Sequence, residues 1–141
     1  MTATVKYDEV EVGQEIPART FPVQRIDLVR YAGASGDFNP IHWNDTFARS
    51  VGLPDVIAHG MFTMAQGGRF VTDWAGDPGA VLDYSVRFSS MVVVPNDGGA
   101  EIEVSGVIQE KLDDNAVVIA LTARSAGEKV LTRAKATVRL A

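Results

Sequence analysis

No cysteine occurs in the 141 residues of this chain. Disulfides, thiolate metal sites and cysteine nucleophiles are therefore excluded, and the absence fits a reducing cytoplasm. Long hydrophobic runs are missing too. The start, MTATVKYDEVEV, has no apolar core for a signal peptide, and no stretch approaches transmembrane length, so no membrane partner is expected. Basic residues are outnumbered, thirteen against eighteen acidic ones. A net charge of −5 argues against nucleic acid as the main partner. An acidic carrier protein or a phosphorylated cofactor would need a local basic patch, for which Arg69, Arg87 and Arg133 are candidates. There is no Gly-x-Ser-x-Gly elbow, and no glycine-rich loop follows a strand to suit a nucleotide. Histidine is scarce, with only His42 and His59.

What is present suggests one domain over residues 1–141. Thr20–Val23 reads as a short strand after a polar lead-in, with Ile16-Pro17 as a turn signal. Asp27 reads as a helix start, its apolar stripe on Leu28, Tyr31 and Ala32, ended by Gly33 and Gly36. A short helix fits Asp45–Val51. A longer one follows His59 and ends near Trp74. Its residues Met61, Phe62, Met64, Ala65, Phe70 and Val71 make it apolar nearly all round, as for a helix enclosed by a core. Gly67 and Gly68 would let another backbone approach it. Leu82, Tyr84, Val86 and Phe88 alternate with polar residues as a half-buried strand running on towards Val94. Three more strands follow, around Ile102–Ile108, Val117–Leu121 and Val130–Val138. Four strands joined by short turns predict an antiparallel meander, and helices before strands predict an α+β class with the sheet curled over the helix.

The chemistry-bearing stretch is Gly36-Asp37-Phe38-Asn39-Pro40-Ile41-His42. On an unbroken helix Asp37 and His42 would lie about 140° apart. Pro40 removes a backbone donor and drives Asn39 towards extended backbone, so a turned loop is expected instead. Both side chains could then face one cleft as an acid–base pair. Asn39 reads as a turn former or loop support. His59 either holds a loop by hydrogen bonds or serves the site. Gly60, as first residue of the long helix, offers an unpaired N–H at the positive end of the helix dipole, suited to an oxygen that becomes negative. Asp37, His42 and His59 could also make a two-histidine, one-carboxylate iron site. Their spacing matches no familiar ligand pattern, and neither metal nor cofactor is expected.

The first motif, followed by Ala58-His59-Gly60-Met61, resembles the hydratase motif of the MaoC-like (R)-specific enoyl hydratases. That resemblance implies a hot-dog fold, in which an antiparallel sheet wraps a long central helix. It also implies catalytic roles for Asp37 and His42, an oxyanion-holding role for Gly60, and a dimer. The stretches Gly76–Val81, Val86-Arg87-Phe88 and Val94–Gly98 are similar to one branch, the catalytic B subunits of mycobacterial (3R)-hydroxyacyl-acyl carrier protein dehydratases. These act in the type II elongation of mycolic acid precursors. The branch implies pairing with a related subunit lacking the dyad, with a homodimer as the alternative, and a thioester of acyl carrier protein or CoA as substrate. Some relatives carry a serine near the aspartate where this chain has Gly68, leaving that supporting position open. A hot-dog acyl thioesterase and a non-catalytic acyl-binding subunit are the alternative functions.

Overall fold

The computed structural model describes residues 2–141. Five strands form one antiparallel sheet: β1 (Glu15–Val23), β2 (Val81–Phe88), β3 (Ala100–Lys111), β4 (Ala116–Ser125) and β5 (Glu128–Arg139). Their order across the sheet is β1-β3-β4-β5-β2. Helices α1 (Arg25–Ser35) and α2 (Asp45–Ser50) precede the long helix α3 (Gly60–Ala75), which packs into the curl of the sheet against β1, β2, β3 and β5. The α+β expectation holds.

The sheet differs from a four-strand meander. Strands β3, β4 and β5 do form one, on tight hairpins whose turn residues Asp114, Asn115, Ala126 and Gly127 take positive φ. Strand β2, however, pairs with β5 at one edge. It stops at Phe88, and residues 89–99 carry the chain across to β3. Part of that crossover, Val92–Val94, bonds instead to the segment before α3, through Ala58 N–H to Val92 O (2.9 Å) and Val94 N–H to Val56 O (2.8 Å). Register shifts after Val81 and Ser85 turn residues off the expected alternation, leaving Leu82 and Phe88 about half exposed. Strand β1 is also longer than Thr20–Val23. Pro17 falls at an irregularity in its pairing with β3, where a missing donor is tolerated on an edge strand.

Alternation on the central strands delivers the core. Ile102, Val104, Ile108, Val117, Ile119 and Val138 are fully buried against Phe70 and Val71 of α3. Helix α1 starts two residues before Asp27, because Asp27 is the reciprocal partner of a capping box: Gln24 N–H donates to its Oδ2 at 2.8 Å. Gly36 ends α1 in the left-handed conformation, φ 77°.

Helix α3 is not enclosed all round. Its buried face is Thr63, Gly67, Phe70, Val71 and Ala75, while Met61 and Ala65 face outward. Five strands curl around only one side of a helix this long. Nor does a second backbone approach Gly67 and Gly68; the Tyr84 side chain does. Its hydroxyl donates to Met64 O at 2.7 Å, and burial pushes the phenol up to about 12. A Cβ on Gly67 would collide with that hydroxyl. Gly67→Ala gains ~1 kcal/mol of helix propensity but is overpacked by ~1–3 kcal/mol. A lower urea midpoint is expected, recovered by adding Tyr84→Phe.

Candidate active site

The site is assembled where the Asp37–His42 loop meets the N-terminus of α3. Asn39 caps a 3₁₀ turn at Pro40–His42, its Oδ1 accepting the Ile41 N–H at 3.3 Å. The Asp37 Oδ1 accepts the Asn39 N–H at 3.2 Å. Asn39 is therefore engaged within the loop, and Pro40 breaks the chain direction as its ring requires. Behind the loop, Ile57 N–H donates to Ile41 O (3.1 Å), which ties it to the segment before α3. That segment is anchored by Asp55, which pairs with Arg25 (2.8 Å) and Arg49 (3.3 Å) and accepts the Val56 N–H. The Val56 hydrogen bond and the two guanidiniums hold the Asp55 carboxyl below its usual range, against the opposing effect of burial.

His42 is buried and His59 more so, whereas Asp37 is about half exposed at the rim. His42 Nδ1 lies 2.7 Å from Ile57 O. A carbonyl only accepts, so Nδ1 carries the hydrogen and Nε2 points at Asp37. The Nε2 to Asp37 Oδ2 distance is 3.9 Å. That is too long for a direct hydrogen bond and suits a bridging water. His59 stacks on His42 with ring centroids 3.8 Å apart and planes 22° from parallel. Its Nε2 donates to the Asp37 backbone carbonyl at 3.1 Å, while Tyr31 covers it at 4.7 Å. The remaining nitrogen, Nδ1, is buried with no partner among the described residues.

Burial is the main reason the His59 pKa lies below its ordinary 6.5, reinforced by repulsion from His42 and opposed by the Asp37 contacts. An imidazole kept neutral in the fold gains a proton more readily when unfolded. Its contribution to stability is thus complete above pH 6.5 and is lost as the pH falls towards the lowered value. His59→Phe has no such group. The stability difference between wild type and this variant, measured by urea denaturation, is expected to shift in favour of the variant as pH drops below 6.5.

The three side chains Asp37, His42 and His59 bring ligand-type atoms within 4.8 Å of one another. Stacked rings hold their in-plane lone pairs side by side, however, and metal–imidazole bonds of ~2.1 Å require them to converge. One N–H of each ring already donates to a backbone carbonyl. The arrangement fits acid–base chemistry rather than chelation.

Gly60 is the first residue of α3, and with His42, Thr63, Phe88 and Ser89 it lines a cavity of about 340 Å³. Gly68 does not line this cavity; it faces the Tyr84 ring, 3.3 Å from where its Cβ would stand. The site thus gathers Asp37, His42, His59 and the Gly60 end of α3, with Asn39 supporting the loop. Tyr31, the Ile57 carbonyl and Thr63 were not expected there. Tyr31 reads in sequence as one more member of an apolar stripe, a carbonyl carries no sequence signal, and only the Gly60-to-Thr63 spacing hints at a shared face.

Comparison with known proteins is consistent with this layout. The profile of the MaoC-like domain matches residues 8–136. The 3-hydroxyacyl-thioester dehydratase X of Mycobacterium tuberculosis is 43% identical over 83 residues, which are 59% of this chain and 29% of that protein. A solved MaoC-like dehydratase superposes with a TM-score of 0.96 at 43% identity, over 99% of this chain and 43% of that one. The chain therefore spans less than half the length of either. The R-hydratase PhaJ1 from Pseudomonas aeruginosa, in unliganded form, superposes with a TM-score of 0.86 at 28% identity, over 99% and 89%. From its matched profile and its hot-dog architecture, in which the sheet curls around α3, the chain belongs to the MaoC-like domain family.

Proposed function

We propose that this chain is an (R)-specific hydro-lyase. It interconverts a trans-2-enoyl thioester and water with a (3R)-hydroxyacyl thioester, running as the dehydratase in fatty acid synthesis. One observation carries the reading: His42 faces Asp37 across 3.9 Å, a span for one water, and itself lines the cavity that meets the amide end of α3.

The pair works with one shared proton. In hydration Asp37 accepts a proton from water as its oxygen bonds to C3, and protonated His42 delivers its Nε2 proton to C2. In dehydration neutral His42 removes the C2 proton, and protonated Asp37 releases the C3 hydroxyl as water. Negative charge builds on the thioester oxygen in both directions and is met by the Gly60 N–H and the helix dipole. His59 holds the Asp37 backbone and backs the His42 ring. No cofactor enters the balance.

Acyl carrier protein is the proposed handle of the substrate, with mycolic-type elongation in the cytoplasm as setting. The exposed Met61 on α3 and Leu82 and Phe88 on β2 offer an apolar face to a related hot-dog subunit or a second copy. The thioesterase alternative would need a carboxylate aimed at the thioester. Asp73, the acid within α3, is instead paired with Arg19 and Arg69. The test is loss of enoyl absorbance with crotonyl thioesters of CoA and carrier protein, with free thiol measured in parallel. Absorbance loss without thiol release is expected; thiol release would establish the thioesterase.

A further inference from the structure

We propose that Thr63 is a second donor to the thioester oxygen, completing with Gly60 a two-hydrogen-bond oxyanion hole; this rests on the hydratase reading above. Thr63 is a polar side chain buried to 4% exposure on the inner face of α3, and it lines the same cavity as His42 and Gly60. It lies three residues after Gly60, so the two are neighbours on one face of the helix. Side chains on a helix lean back towards its N-terminus. The Thr63 side chain is thereby directed over the turn that presents the Gly60 N–H.

A threonine inside a helix ordinarily ties its hydroxyl to a carbonyl one turn back. Thr72, on the same helix, does so with Arg69 O at 3.2 Å. At Thr63 the backbone N–H donates to His59 O at 3.2 Å, while the hydroxyl makes no hydrogen bond among the described residues. Among those residues the one buried side-chain atom left without a partner is His59 Nδ1, so the Thr63 oxygen is open to the cavity rather than sealed in the core. Phe88, whose ring lies 3.3 Å from the place of a Gly60 Cβ, lines the same cavity beside the helix end.

The chemistry calls for a hydroxyl there. One amide donor satisfies a neutral carbonyl, whereas an enolate-like oxygen accepts two or more hydrogen bonds. Thr63 would donate its O–H to that oxygen in the transition state. It neither gains nor loses the proton, so the proton balance of Asp37 and His42 is unchanged.

The experiment compares Thr63→Val, which keeps the shape, with Thr63→Ser, which keeps the hydroxyl. Two rates are measured: hydration of crotonyl thioester, and exchange of the C2 protons of a saturated butyryl thioester in deuterium oxide. The second reports enolate formation with no attacking water or leaving hydroxyl. Thr63→Val is expected to lower both by ~10²-fold with little change in KM, and Thr63→Ser to restore both to within about threefold. Wild-type rates in Thr63→Val, a loss confined to hydration, or a change in KM alone would overturn the proposal. Should the valine variant fail to fold, Thr63→Ala takes its place: a folded alanine variant slowed ~10²-fold beside a serine variant at the wild-type rate supports the proposal, and equal rates in the two overturn it. A wild type inactive in both assays, alone and with the related hot-dog subunit that co-purifies with it, would instead overturn the hydratase reading itself.

Discussion

His42→Ala is expected to lower kcat for enoyl-thioester hydration by ~10²–10⁴-fold, the range for removing a positioned acid–base group. The ring is held from both sides, by the Ile57 carbonyl at Nδ1 and by the stacked His59. Neither contact survives truncation, and His59, the other imidazole of the chain, has its Nε2 committed to the Asp37 carbonyl. Asp37→Asn should produce a comparable loss for a different reason. The amide oxygen can still accept the Asn39 N–H that organises the loop, yet it cannot take a proton from water. Because the two residues act in one reaction, Asp37 at the C3 oxygen and His42 at C2, the double variant should be little worse than the more damaging single one. The measurement is initial rate by enoyl absorbance, with circular dichroism to show that each variant is folded. Near-normal turnover in either folded single variant would remove the dyad from the mechanism.

The second large effect is expected from Gly60→Pro, a ~10²–10³-fold fall in kcat from loss of one oxyanion donor. Proline is well suited to the first position of a helix, where its missing N–H leaves no intrahelical bond unmade. The preceding residue, His59, has φ −58° and ψ 137°, the extended backbone that a following proline requires. The substitution thus deletes the donor while leaving α3 able to start in the same place. Gly60→Ala is the control for bulk. Its Cβ would press on the Phe88 ring at 3.3 Å, but the ring is half exposed and free to yield, and the N–H is kept. Alanine should therefore retain most of the activity that proline loses. Equal losses in the two would assign the effect to crowding at Phe88 and not to the amide.

Local signals were reliable where a residue type leaves few options. Gly36 and Gly76 end their helices in left-handed conformation, near the ends expected, and the alternation in β3, β4 and β5 placed Ile102, Ile119 and Val138 in the core. They failed where the competing interaction is distant. The partner of β2 is set by the crossover through residues 89–99, whose bonds to Val56 and Ala58 join segments more than thirty residues apart. Tyr84 filling the notch at Gly67 is likewise a contact across the fold, which helix periodicity does not encode.

The amino-acid order by itself determined that a loop broken at Pro40 would separate Asp37 from His42 and that a helix would begin at Gly60, because proline and glycine act on their own backbone. Only the tertiary structure decided that the loop and the helix end share one cavity. It also decided that His42 Nε2 faces Asp37 across 3.9 Å, that His59 lies stacked beside it, and that the Thr63 hydroxyl is left uncommitted. The placing of the two rings depends on hydrogen bonds that the Ile57 and Asp37 carbonyls accept, and a carbonyl is the same in every residue until the fold gives it a direction.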